Sequence, residues 1–142
     1  MLWRIAHGNL DGLSPKVAVV MIGTNNTSDT NNPEQIAEGV SAVVTAIHGK
    51  SPTTKVLLLG IFPRGKGAND SKRLIAEKVN QLLSATADNT TTFYLDIGAK
   101  FLAPDKSLIK GTTTDNLHLT SKGYEIWAEA IESKLKELTG DR

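Results

Sequence analysis

Two unbroken apolar runs, Lys16-Val17-Ala18-Val19-Val20-Met21-Ile22 and Lys55-Val56-Leu57-Leu58-Leu59-Gly60-Ile61-Phe62, constrain the fold more than any other feature of the chain. Neither alternates polar with apolar residues, so each reads as a strand buried on both faces, as in a parallel sheet covered by helices. Between them, Pro33 to His48 repeats Ile36, Val40, Val43, Val44 and Ile47 at helical spacing. Pro33 suits the first helical turn, where a missing N–H costs nothing. A second helix is expected from Asp70 to Ala87, with Leu74, Ile75, Val79, Leu82 and Leu83, and a weaker strand over Thr91-Thr92-Phe93-Tyr94-Leu95-Asp96-Ile97. The final helix, Ser121 to Leu138, puts Ile126, Trp127, Ala130, Ile131, Leu135 and Leu138 on one face. The opening segment, Leu2 to Leu10, also reads as helix, ended by Asp11-Gly12 and Pro15. This alternation requires parallel strands joined by right-handed crossovers, which predicts an α/β/α sandwich around a thin, three-stranded parallel sheet.

Composition then removes whole classes of function. A chain of 142 residues with 39% hydrophobic and 22% charged residues suits one domain with a buried core. A formal charge of +1, with no basic run and 5% aromatics, argues against a nucleic-acid partner. The absence of cysteine excludes a disulfide framework, a thiol nucleophile and thiolate-bound zinc. No metal site is expected, for want of a His-Glu-x-x-His or a carboxylate cluster, and Gly65-Lys66-Gly67 lacks the rest of a phosphate-binding loop. No apolar run reaches membrane-spanning length, and nothing at Met1-Leu2-Trp3-Arg4 resembles a targeting signal. The expectation is a soluble protein, cytoplasmic or secreted, without cofactor. The segment Pro63-Arg64-Gly65-Lys66-Gly67 reads as a mobile loop.

The chemistry-bearing residues fall in two places. Asp115 precedes His118 by three residues in a loop, where its carboxylate can fold back to accept the Nδ1 proton and leave Nε2 free as a base. A motif this short also fits a surface histidine beside an unrelated turn residue, and Asp96, at the end of the third strand, is a rival orienting acid. Thr120 or Ser121 suits the cap of the helix that follows. Gly23-Thr24-Asn25-Asn26 ends the first strand, and the carboxyl ends of strands are where open α/β sheets hold ligands. The amide of Asn25 could donate to a developing oxyanion there, although Gly and Asn are equally the residues of a plain turn. His7, on the opening helix, and His48, near a helix C-terminus, are read as structural.

Together these blocks resemble the SGNH (GDSL-type) hydrolases. The likeness rests on Trp3-Arg4, Gly23-Thr24-Asn25-Asn26, Leu59-Gly60-Ile61-Phe62-Pro63-Arg64-Gly65 and Asp115-Asn116-Leu117-His118-Leu119, spans nearly the whole chain in order, and is nearest to the acetylhydrolase branch, which shares Asn at the place of Asn26. The resemblance implies a flavodoxin-like fold and an ester hydrolase acting on small-molecule short-acyl esters. It implies His118 as general base, Asp115 as its orienting acid, Asn25 as oxyanion donor, and Gly23, Thr24 and Asn26 as the surrounding oxyanion region. Two of the family's defining residues, the nucleophilic serine and a backbone-donor glycine, have no counterpart here and are expected before Met1. Ser28 and Thr24 lie nearest in sequence to the oxyanion block, but neither sits on a strand-to-helix elbow.

That absence has a structural side. In strand order 2-1-3-4-5 the missing segment would supply the first two strands, so residues 1–142 read as one incomplete domain with Lys16 to Ile22 at a bare edge. An open apolar edge invites a homo-oligomer or another pairing through that strand. The alternative to an esterase is a catalytically inactive α/β interaction module derived from one.

Overall fold

The computed structural model of the protein describes residues 1–28 and 31–141. Three parallel strands, β1 (Val17–Val20), β2 (Lys55–Leu59) and β3 (Thr92–Leu95), lie side by side in that order. Val17 pairs with Lys55 and Val56 with Thr92, so β2 is central and β1 is an edge. The helices are α1 (Leu2–Ala6), α2 (Pro33–Lys50), α3 (Ser71–Ser84) and α4 (Ser121–Thr139). Short 3₁₀ turns follow β1 at Asn25–Ser28 and β3 at Gly98–Phe101.

Side-chain alternation along β2 divides the interior. Val56 and Leu58 point toward α2 and α3, where they pack with Val40, Val43, Ile47, Val79 and Leu83. Leu57 and Leu59 point the other way, into a cluster with Phe62, Phe93, Phe101 and the inward face of α4. The result is the three-layer arrangement read from the sequence, with both crossover helices on one side. α2 begins with a capping box in which Asn32 Oδ1 accepts the Gln35 N–H at 2.8 Å and Gln35 Oε1 accepts the Asn32 N–H at 3.1 Å. Asp70 caps α3, and α4 ends on Gly140, whose left-handed φ of 76° suits a helix C-terminus.

Several boundaries differ from the sequence reading. α1 stops at Ala6 rather than Leu10, because the chain turns at His7 and the Asn9 N–H reaches back to the Arg4 carbonyl at 3.1 Å. β2 stops at Leu59 rather than Phe62. Beyond it, the Asn80 side chain takes the place of a neighbouring strand, accepting the Ile61 N–H at 2.7 Å and donating to the Ile61 carbonyl at 3.0 Å. Satisfying both backbone groups of a buried residue from one side chain lets the chain leave the sheet without orphaning them. Among the described residues, no helix is long and apolar enough to cross a membrane.

Candidate active site

His118 stands on a tight hairpin between β3 and α4. Thr113 and Leu119 form an antiparallel bridge, the Thr114 N–H donates to the His118 carbonyl at 2.9 Å, and Thr120 N–H donates to Thr112 at 3.0 Å. Asp115 lies at its tip. Its Oδ1 accepts the backbone N–H groups of His118 (2.8 Å) and Leu117 (3.1 Å), while Oδ2 meets His118 Nδ1 at 2.7 Å. Asn116, between them, adopts a φ of +63° that closes the turn. The His118 backbone N–H, then its imidazole, hold the Asp115 carboxyl down to about 2, well below its ordinary value. Asp115 is therefore an anion at neutral pH, and it fixes the proton of His118 on Nδ1. Nε2 is left as the basic nitrogen, and with the side chain 74% exposed it is open to solvent and ligand.

The second group sits where β1 runs out. Gly23 has a φ of +108°, and a side chain there would press on Ile61 and Ile36, so the turn requires glycine on two counts. Immediately after it, the 3₁₀ turn begins with Asn25 exposed, and Thr27, buried beneath, donates its hydroxyl to the Thr24 carbonyl at 2.7 Å. Thr24 and Asn25 share one cleft with His118. Gly23 and Asn26 do not line it: they border a separate hollow between α1 and α2, with Trp3 and Gln35.

The shared cleft has a volume of about 310 Å³. Phe62, Phe101, Leu108 and Trp127 make its apolar lining, with Phe62 stacked on Phe101 at 4.8 Å and edge-on to Trp127 at 4.9 Å. Tyr124 stands exposed at its rim, stacked on Trp127. Among the described residues, its hydroxyl-bearing walls are Thr24, Thr113 and Tyr124, with no serine. The aromatic lining carries no sign in the sequence because Trp127 lies on the apolar face of α4 and Phe62 closes the apolar run that reads as a strand, both ordinary core positions.

The rival residues are elsewhere. Asp96 accepts the Gly98 N–H at 2.8 Å and faces Asn80 on the α3 side, away from the cleft lining. His7 bonds to the Trp3 carbonyl and stacks on its ring, and His48 meets the Thr92 hydroxyl at 3.1 Å. Among the described residues, no group of three or more His, Asp or Glu side chains could hold a metal ion.

A parallel sheet between helical layers thus carries a carboxylate-anchored histidine and an asparagine on one cleft beyond its strands. The chain belongs to the GDSL-like lipase/acylhydrolase family, which it matches over residues 1–126. It is 38% identical over 139 residues to the human platelet-activating factor acetylhydrolase IB subunit alpha2, and 33% identical to the human subunit alpha1, covering 97% of this chain in each case. The chain spans 59% of the length of these relatives. Among solved structures, it superimposes on a GDSL-like lipase from Bacteroides thetaiotaomicron with a TM-score of 0.75 at 19% identity, covering 96% of this chain and 69% of that one. A carbohydrate acetylesterase from Sinorhizobium meliloti gives a TM-score of 0.70 at 20% identity, over 96% and 67% of the two chains. These likenesses establish the α/β/α fold.

Proposed function

We propose that this chain carries the base and the oxyanion donor of a serine ester hydrolase acting on short acyl esters, acetyl esters above all. The supporting observation is the one cleft shared by Asn25 and a His118 whose Nδ1 is held by the Asp115 carboxylate. The attacking hydroxyl in this reading belongs to a serine outside these 142 residues. Its Oγ bonds to the ester carbonyl carbon as its proton passes to His118 Nε2, and Asp115 stabilises the imidazolium that results. The Asn25 amide donates to the oxyanion, with Thr24 beside it and Gly23 and Asn26 shaping the turn. Collapse returns the proton from Nε2 to the departing alcohol and leaves an acyl-serine. Water repeats the cycle and releases the acid.

A cleft near the lower end of ligand-site volumes, closed by Phe62, Phe101 and Trp127, favours a small acyl group over a long chain. The same proposal treats residues 1–142 as part of one hydrolase domain in which further strands pair with β1. The test joins the chain to the serine-bearing segment and follows hydrolysis of nitrophenyl esters. His118→Ala is expected to lower kcat by about a thousandfold or more, and Asn25→Ala by about a hundredfold to a thousandfold. Full turnover by the His118 variant, or a preference for long-chain over acetyl esters, would sink it.

A second reading, a binding module derived from a hydrolase, draws on the absence of serine among the described residues of the cleft wall. It predicts that the serine-joined protein turns over no ester but still binds a ligand there. For the chain alone, acetyl-ester turnover abolished by a serine-directed phosphonate would reveal an internal nucleophile and overturn both readings.

A further inference from the structure

The loop Pro63 to Gly67, which reads as mobile from its glycines, is hydrogen-bonded to both sides of the cleft. Arg64 extends its guanidinium across to the asparagine turn, donating to the Thr24 carbonyl at 2.7 Å and lying 3.4 Å from the hydroxyls of Thr24 and Thr27. The next residue reaches the histidine hairpin, the Gly65 N–H donating to the Asn116 carbonyl at 3.0 Å. Gly65 sits at a φ of +82°, and any side chain there would collide with Asp70. Thus two adjacent residues bond to both walls that carry Asn25 and His118.

Behind them lies Arg73, 1% exposed on α3. Its Nε donates to the Arg64 carbonyl at 2.9 Å, Nη2 to the Gly65 carbonyl at 3.3 Å, and Nη1 to the Lys106 carbonyl at 2.6 Å. Among the described residues, no carboxylate forms an ion pair with it. A buried charge is costly unless its donors are met, and a methionine could fill similar space without that cost. What an apolar residue could not do is join the 63–65 loop to the one at Lys106, which leads directly into Leu108 of the cleft wall. The planar fork reaches both at once, and a lysine ammonium cannot.

We propose that Arg64 and Arg73 are positioning residues: bonded as they are to the loops around the cleft, they fix the placement of Asn25 relative to His118. This rests on the hydrolase reading for its purpose, but not for its test. The experiment is NMR of the intact chain, following the side-chain amide of Asn25 and the Nδ1 proton of His118 in four variants. Arg64→Met is expected to shift both signals, and Arg64→Lys to restore the Asn25 signal, since one donor suffices for the Thr24 carbonyl. Arg73→Lys is expected to shift both signals and not to restore them, because one ammonium cannot hold two loops. Should Arg73→Met fail to fold, the lysine variant still decides.

A merely structural role predicts losses that track thermal stability, without this opposite behaviour of the two lysine variants. The proposal is overturned if Arg64→Met moves only Thr24 and Thr27, or if Arg73→Lys leaves Asn25 and His118 unmoved. In the serine-joined enzyme, Arg64→Met should lower kcat by about tenfold to a hundredfold with KM little changed. If His118→Ala instead left turnover intact, the hydrolase reading would fall while the NMR result still judged the positioning.

Discussion

The face of the sheet covered by α2 and α3 differs sharply from the face beneath α4. On the first, Val56, Leu58, Val79 and Leu83 are at most 1% exposed, and α2 alone buries Ile36, Ala37, Val40, Val43, Val44 and Ile47. On the second, Val19 is 38% exposed and α4 fully buries only Gly123 and Leu138. One helix cannot cover what two cover. Under α4 the burial is complete at Leu57, Leu59 and Phe101 and is lost only toward β1, at Val19. The uncovered part of that face and the cleft of His118 and Asn25 are both within reach of solvent.

The sharpest way to break this contrast is a pair of truncations. Leu83→Ala, in the closed core, should cost about 3 kcal/mol, whereas Ile131→Ala on the half-covered face of α4 should cost about 1 kcal/mol. Urea unfolding of the two variants decides it, and equal losses would show that α4 is packed as firmly as α3. Next in size is the edge. We expect the chain to self-associate at high concentration through β1, and Val19→Lys to return it to a monomer by light scattering, because a lysine on an edge strand blunts its pairing with another chain. A monodisperse wild-type chain would remove that expectation.

Smaller effects probe the hairpin itself. The Thr120 hydroxyl accepts the Gly123 N–H at 3.3 Å and donates to the Gly111 carbonyl at 2.6 Å, so Thr120→Ala should cost about 1 kcal/mol in unfolding experiments. The least disruptive probe is pH. The folded Asp115 carboxyl lies near 2, below the ordinary 3.8, so its contribution to stability is complete above the ordinary value and is lost as pH falls toward 2. Carbon-detected titration of Asp115 should show a midpoint near 2. A midpoint at 3.8 would mean that the turn around His118 does not persist in solution.

What the sequence disclosed, and what it hid, follows the range of the forces involved. The apolar runs at Val17 and Val56 announce buried parallel strands, because burial on both faces leaves a continuous signature. Three residues of separation suffice to put Asp115 beside His118, a contact made within one turn. Asn80, which replaces a strand neighbour for Ile61, carries no local sign, since its partner lies on a different element. Arg73 misleads more actively. A charged residue on a helix reads as surface, and only the folded chain shows it bonded to carbonyls of two loops. The glycines around Arg64 suggest mobility for the same reason: their freedom is local, and the bonds that tie the loop come from distant elements.

The register of β1 fixes which of its backbone groups remain available. The Lys55 N–H donates to the Lys16 carbonyl, so in a parallel ladder Ala18 and Val20 spend their amides on β2, while Val17 and Val19 direct theirs outward. The open edge is therefore a pattern with a period of two rather than a uniform ribbon. Replacing the amide at Val19 by an ester linkage should leave the domain's own sheet intact while removing one docking point for an incoming strand. The same atom exchanged at Ala18 would loosen β1 from β2 and spare the edge.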